Sequence, residues 1–542
     1  MVKRTKNILE KLSKLRKLLT PDSREIAIKR YLNTLRLASS GAAGVVLVQC
    51  VEDPYYYGLF GQIVSSLREQ RPIRVEQFLF NSLRLGESSS CYSFIRIRFV
   101  TWLIGKKWSS LYDAFCDGVG YRSTSWRFPL EDLFDLYRAF VCWRSLTMKD
   151  ALTSLVIDNV PVGDLINDSF LRYKPAPTVK LVDAYLWLII WQAHRDIRRA
   201  KNYFTRVRPK LYLTSYSTYI QHGIAVRVAL QCGVKVFSIF SNLQEFIKEL
   251  STDDWAHTHN PDAYADEFAR MENADQKLVE ADSALAARMA GAIDSATAYM
   301  RRSAYTESED PVPDVRGALV IFLHDFFDSP HIYRHMVFPD FWEWICFTID
   351  VLNRGNIRFF VKPHPNQIDL SAGVLNDLKR RYPDMLMISP NITNKQLAQA
   401  GMVCAVTVYG TVAHEMTYLG VPTIGCGDNP HVSFDFCKTA KNKEEYAELL
   451  IRYAEIEFDK LEMRRQSLAF YYMHNLNLSS EEKALMHAVS QYRKSLDSST
   501  IHDQEVSELL INISGLSGYR SYINRLKAAI EDYYQCSDTR SG

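Results

Sequence analysis

The sequence predicts an α/β protein of two doubly wound domains facing a cleft, with extra helices. Three observations carry that expectation. At 542 residues the chain is too long for one compact core. A strand–loop–helix–strand order opens near residue 44 and is met again around 209–240. From residue 317 a more regular alternation of short apolar runs and helical stretches begins, the pattern of a parallel sheet.

The elements follow in chain order. "MVKRTKNILEKLSKLRKLL" reads as a basic amphipathic helix, with Ile8, Leu12, Leu15 and Leu19 at helical spacing and Lys11, Lys14, Arg16 and Lys17 on other faces. Such a helix either lies on an anionic membrane surface or packs on its own domain. We bound this segment at 1–40. The first α/β domain is expected over 41–245. "GVVLVQC" (44–50) and "IRVEQFLF" (73–80) are strands, and a helix from about Leu59 to Arg68 lies between them. A long, aromatic-rich helical insertion spans about 92–206. "PKLYLTS" (209–215) and "VKVFSIF" (234–240) are further strands, and Gly233 ends the helix before the second. A polar connection fills 246–310. The second α/β domain covers 311–440, with strands at "GALVIFL", "IRFFVKPHP", "LMISP", "MVCAVTVYG" and "VPTIG". Residues 441–542 read as helical.

Bulk properties narrow the function. A net charge of +3 gives no strong pull toward nucleic acid. The ten cysteines form no CxxC pair, so reduced thiols and a cytoplasmic setting are expected. Asn391, Asn477 and Asn512 head glycosylation triplets, but no secretory signal accompanies them. No apolar run reaches the ~18 residues that suggest a membrane span; "AYLWLIIW" (184–191) is too short.

Two stretches carry the chemistry. In "RFFVKPHPNQ" (358–367), Pro363 and Pro365 cannot continue a central ladder because each lacks an N–H donor. The strand must stop there, leaving Lys362 and His364 on a stiff turn at its carboxyl end, where open parallel sheets bind ligands. A cation and an imidazole there suit an anion. In "AVTVYGTVAHEMTYLGVPTIG", a buried strand ends at Tyr409–Gly410 and Thr411 opens a helix. Glycine lets a ligand approach the backbone, and helix N-termini favour phosphate. Thr407 and Thr411 add hydroxyls, and Glu415, about one turn in, is placed to accept both hydroxyls of a ribose.

A third stretch, "LHDFFDSPH", offers His324, Asp325, Asp328 and His331 just past a strand; Asp325 or Asp328 is a candidate for binding the donor sugar or acting as base. In the first domain, Glu52–Asp53 and Tyr216, Tyr219 and His222 follow strands, so Asp53 and His222 are candidate catalytic groups. Arg227 is placed either to meet a carboxylated sugar or to form a surface pair. His257-x-His259 has metal-like spacing without a convincing third ligand, so no metal is expected.

The "KPHP" turn followed by "YGTVAHEMTYLGVPTIG" resembles the C-terminal domain of GT-B glycosyltransferases, and more narrowly the bacterial capsule and surface-polysaccharide transferases that include Kdo transferases. "LHDFFDSPH" with "FPDFWEWICFTIDVL" is similar to the same group. The resemblance covers about 317–440, and 44–240 in architecture only. It implies two Rossmann-like domains and a nucleotide-sugar donor, with a glycan or glycolipid acceptor at the cytoplasmic face of the membrane. It also implies no cofactor and no metal, since helix dipoles and basic residues neutralise the leaving phosphate. His364, with Lys362 and Pro365 on its turn, would touch the donor phosphate; Tyr409, Gly410 and Thr411 would cap it; Glu415 would hold the ribose. Sialyltransferases, which share the His-Pro element, place paired serines where this chain has Thr407-Val-Tyr-Gly-Thr411. Three other readings stay open: a non-hydrolysing nucleotide-sugar 2-epimerase, a CDP-polyol phosphotransferase, and a sugar-binding scaffold.

Overall fold

The computed structural model describes residues 18–36, 44–69, 72–80, 91–123, 130–174, 176–239, 245–258, 261–292, 305–333, 335–365, 367, 369–497 and 503–538. The basic helix expected over residues 1–20 lies almost wholly outside them.

The first domain is a six-stranded sheet. Its strands are β1 (Val45–Gln49), β2 (Arg74–Leu79), β3 (Gly118–Arg122), β6 (Leu211–Thr214), β7 (Lys235–Ile239) and β8 (Ile247–Leu250), in the order β3-β2-β1-β6-β7-β8. All pairs are parallel except β7–β8. A separate hairpin, β4 (Val156–Ile157) and β5 (Val160–Pro161), turns at Asp158–Asn159, both at positive φ as a tight hairpin turn requires. The insertion read as helical over 92–206 is thus interrupted by an edge strand and a hairpin. "GVGYR" has too few β-branched residues to announce a strand. Strand β8 extends the sheet past residue 245: Ile247 and Leu250 face the interior, and the buried Lys248 ammonium donates to Asp254 Oδ2 at 2.9 Å.

The second domain repeats the order with β9 (Leu319–Phe322), β10 (Phe359–Lys362), β11 (Leu386–Met387), β12 (Cys404–Val406), β13 (Thr423–Cys426) and β14 (Cys437–Ala440), as β11-β10-β9-β12-β13-β14, all parallel. Runs such as Leu-Val-Ile-Phe are apolar throughout because helices cover both faces of the sheet. Helix Phe341–Arg354 covers one face with Phe341, Trp344, Ile345, Ile349 and Leu352, and its first turn is capped by Asp340. Strand order and domain duplication are those of the GT-B arrangement.

Two helical features lie beyond that plan. The chain's last helices, Ser480–Ser495, Asp503–Gly515 and Ser517–Asp538, return to the first domain, where Leu485, Val489, Tyr492, Leu510 and Leu526 share a core with Leu32, Tyr57 and Phe60. Gly58 permits this close approach: a Cβ there would lie 2.0 Å from the Tyr492 hydroxyl oxygen. Helix Leu130–Ser145 is inverted. Its acidic side faces inward, where Asp132 (0% exposed) meets Arg195, Arg198 and Arg199, and Asp135 meets Arg198. Its apolar side, with Leu130, Leu133, Phe134, Tyr137, Phe140 and Val141, faces solvent, Leu130 at 83% and Phe134 at 63% exposure.

Candidate functional site at the ends of the parallel strands

The order of the second sheet reverses between β9 and β12, and a doubly wound sheet opens a crevice at such a point. Three segments leave the sheet side by side there: Leu323–Asp325 after β9, Pro363–Pro365 after β10 and Thr407–Gly410 after β12. His324 Nε2–H donates to the Tyr409 carbonyl at 2.5 Å, and its ring stacks on Phe341 with centroids 5.0 Å apart. Gly410 has φ +113°, a conformation closed to ordinary L residues, and its α-carbon faces the His324 ring. Burial depresses His364 to about 4; neighbouring His324 and Lys362 push the same way, against Asp325. Burial also lowers Lys362 to about 8, while Glu415 raises it, so the ammonium is mostly charged at neutral pH. Two imidazoles and an ammonium thus surround the end of β10, and Thr411 and Pro365 are exposed at its rim.

The other expected residues sit as follows. Thr407 is buried, its hydroxyl donating to the Tyr409 carbonyl at 3.2 Å. The Tyr409 hydroxyl donates to the Ser329 carbonyl at 3.1 Å. The helix opened by Thr411 runs only Val412–Tyr418, seven residues, so its dipole adds little and the charged side chains dominate the local field. Glu415 is 1% exposed. Its carboxylate accepts from Tyr305 Oη at 2.8 Å and Asn394 Nδ2 at 2.7 Å, so a ribose would have to take the place of one of them. Asp325 accepts from the Phe327 amide at 3.0 Å and from Ser371 Oγ at 3.2 Å. Asp328 accepts from the Ser329 amide at 3.0 Å.

On the first domain, Asp53 caps helix Pro54–Arg68 by accepting from the Tyr55 amide at 2.9 Å. His222 is buried between the amides of Gln49 and Gln221, at 2.9 and 3.0 Å, and burial holds it down at about 3. Arg227 is no surface residue: it grips Asp164 through both terminal nitrogens and lies under the Trp255 ring. His257 pairs with Ser217 Oγ at 3.1 Å, and His259 lies outside the described residues.

Sequence reasoning missed Asp168. Helix Gly163–Tyr173 carries it to the second domain, where one carboxylate binds three groups of a single loop: the Ser329 hydroxyl, the His331 amide at 3.2 Å and His331 Nδ1 at 2.6 Å. Asn167 Nδ2 donates to the Pro339 carbonyl at 2.9 Å, and Arg172 to the Phe327 carbonyl at 3.0 Å. The helix thus joins the two domains. Beside it lies a cavity of about 450 Å³ with both domains in its wall, including Asp164, Asp168, Arg227, His331, Tyr333 and Lys441. The signal in the sequence was the four-residue spacing of Asp164 and Asp168, which puts both on one helix face. Their partners are far away in the chain.

Fold and site together define a two-domain α/β protein of GT-B arrangement, with a cationic corner at the switch point of its second sheet and a polar cavity between domains. No protein-family model matches the chain, and no curated protein matches it in sequence. Among solved structures, KpsC of Thermosulfurimonas dismutans, a beta Kdo 2,4 transferase, is similar over 48% of this chain and 78% of its own, at 11% identity and a TM-score of 0.31. A UDP-N-acetylglucosamine 2-epimerase is similar over 80% and 94%, at 10% identity and a TM-score of 0.23. The wall teichoic acid polymerase TagF is similar over 69% and 100%, at 8% identity and a TM-score of 0.19. Likenesses this distant carry no weight for function, and the fold rests on the strand order itself.

Proposed function

We propose that the chain is a glycosyltransferase that moves a sugar from a nucleotide-sugar donor to a growing bacterial capsular or lipopolysaccharide-type glycan. The observation that carries this reading is the convergence of His324, His364 and Gly410 at the switch point of the second sheet. A phosphate there meets the His364 imidazole, the Lys362 charge and a glycine backbone that it can approach closely, with His324 bracing the Tyr409 carbonyl beside it. The "KPHP" and "YGTVAHE" elements, through which the sequence resembles capsule transferases, are the segments that build this corner. In this reading His364 contacts the donor phosphate, and Gly410 and Thr411 border it. The ribose lies toward Glu415 and displaces Tyr305 or Asn394. The cavity beside helix Gly163–Tyr173 takes the acceptor. Charge on the leaving phosphate is met by Lys362 and His364, without a metal.

Peripheral contact with a membrane is supported by the outward apolar face of helix Leu130–Ser145. Its charges are fixed inside by arginines, so the helix cannot rotate to bury its leucines and aromatics. Among the described residues no helix is long and apolar enough to cross a membrane.

A thermal-shift screen with UDP, CMP, CDP, GDP and their sugars tests the donor reading. A ligand at 100 times its Kd stabilises by about 2.7 kcal/mol. No shift with any of them refutes it. Turnover of a bound nucleotide sugar without acceptor to an isomer, rather than to free nucleotide, would favour the epimerase reading instead.

A further inference from the structure

Asp168 and His331 come from different domains and meet at the wall of the interdomain cavity. Asp168 is 3% exposed and His331 10%, so both are shielded from bulk water. Asp168 Oδ1 takes His331 Nδ1–H at 2.6 Å, which fixes the tautomer with Nε2 unprotonated in the neutral ring. Asp168 Oδ2 holds the His331 amide and the Ser329 hydroxyl, so both the ring and its backbone are set by one carboxylate. Nε2 has no partner among the described residues.

One aromatic contact links the cavity wall to the cationic corner. Tyr333, in its wall, packs on Tyr409 with centroids 5.1 Å apart, and Tyr409 precedes Gly410. A base that is oriented by a carboxylate, turned toward a cavity and one aromatic layer from the phosphate corner has the components of a proton-transfer pair. We propose that His331, oriented by Asp168, is the general base that deprotonates the acceptor hydroxyl bound in this cavity.

This inference rests on the glycosyltransferase reading. In the step, the acceptor oxygen forms a bond to the anomeric carbon of the donor. The bond from that carbon to the phosphate oxygen breaks, and its electron pair leaves with the nucleotide. The hydroxyl proton passes to His331 Nε2, and the Asp168 carboxylate stabilises the resulting imidazolium. His331 touches the reacting atoms and is catalytic; Asp168 acts through it and is a positioning residue.

The electrostatics agree. Burial alone would depress His331, but the charge and hydrogen bond of Asp168, with Asp164 and Asp340 beyond, more than offset it and raise the imidazole above its ordinary 6.5. Asp164 and Asp168 face it from helix Gly163–Tyr173, and Asp340 from the start of helix Phe341–Arg354. Arg227, already held by Asp164, His335 and Lys441 are the other ionisable groups of the wall. A more basic imidazole takes up the hydroxyl proton more readily.

The test uses the full chain and the nucleotide sugar that gives the largest thermal shift, with release of free nucleotide as readout. His331→Asn is the main variant, because its side-chain amide can still donate to Asp168 and keep the domains joined. His331→Ala is the second variant, in case the first fails to fold. We expect His331→Asn to keep the nucleotide-induced thermal shift and to lose about 100- to 10,000-fold in kcat. Asp168→Asn should lower kcat and move the acid limb of its pH profile to lower pH. Unchanged kcat in His331→Asn overturns the proposal and leaves the donor reading standing. Loss of turnover in His331→Ala with normal turnover in His331→Asn also overturns it, since that pattern marks a structural latch. If no nucleotide shifts the wild-type protein, the donor reading has failed. The pair is then judged by NMR titration of labelled histidines: a His331 that titrates below 6.5, or is unmoved by Asp168→Asn, overturns it.

Discussion

Replacing His364 with alanine measures how the cationic corner works, and the structure sets the size of the effect. Burial, with His324 and Lys362, holds His364 down at about 4, so at pH 7 the free protein carries it neutral. Half-protonation at pH 7 requires a rise of three units, about 4 kcal/mol. One phosphate charge about 4 Å away supplies about 4 kcal/mol at the effective dielectric of a partly buried site. The two terms nearly cancel, so His364 should titrate near neutrality once a nucleotide is bound. Binding at pH 7 should then take up roughly half a proton. The wild-type advantage over His364→Ala has two parts. A neutral hydrogen bond gives about 0.5–1.5 kcal/mol, or 2- to 13-fold in Kd, at any pH. The proton linkage adds about twofold at pH 7 and about tenfold at pH 6, and nothing at pH 8.5. Calorimetry of the same nucleotide sugar with both proteins, in two buffers of different ionisation enthalpy, checks this, and the ligand's own protonation cancels in the comparison. Equal proton uptake by the two proteins, or a deficit in the variant that is the same at pH 6 and pH 8.5, would show that His364 gains no proton when the nucleotide binds.

Further outcomes are expected. Asp132→Ala leaves Arg195 buried without its carboxylate and should cost about 3–5 kcal/mol in urea denaturation; an unchanged midpoint would show that the inverted helix is held by something else. His222 and His431 are both held at about 3, chiefly by burial, so they stay neutral in the fold while the unfolded chain protonates near 6.5. Their contribution to stability is complete above pH 6.5 and is lost as pH falls toward 3, each at about tenfold per pH unit in the folding equilibrium. Among the described residues neither ring nitrogen of His431 has a hydrogen-bond partner, so His431→Phe should flatten that slope, and an unaltered slope would contradict the assignment. Changing Leu133, Phe134 and Tyr137 together to serine should lower the partition onto phosphatidylglycerol vesicles in co-flotation by about 1,000-fold or more, because each buried apolar side chain is worth about 1.5–3 kcal/mol. Flotation equal to wild type would exclude helix Leu130–Ser145 as the contact.

What could be read from the sequence follows the range of each signal. Strands β1, β9 and β12 announce themselves because a strand covered on both faces is a continuous apolar run. The corner at β10 and β12 is legible because Pro363, Pro365 and Gly410 punctuate the backbone locally. Strand β3 was hidden because an edge strand of "GVGYR" has no such run. Helix Leu130–Ser145 shows the same periodicity whichever side is buried, so its inversion emerges only once the arginines of helix Ala184–Val207 are in place. The inward turn of Glu415 depends on Tyr305 and Asn394, and the Asp168–His331 pair joins residues 163 positions apart; no local pattern encodes either.

The return of the last helices to the first domain has a consequence for how the protein is made. Leu485, Tyr492, Leu510 and Leu526 belong to the core that also holds Tyr57 and Phe60. During translation the sheet of the first domain is complete once β8 has emerged, yet helices Ser23–Thr34 and Pro54–Arg68, which lie in that core, lack their outer partners until helix Ser517–Asp538 leaves the ribosome. At about 5–20 residues per second, that interval is roughly 15–60 s. The nascent domain therefore waits with an apolar flank open while the whole second domain is synthesised, and chaperones have their greatest opportunity then. A nonsense codon near residue 480 would spare both sheets and still strike the half of the protein that was made first.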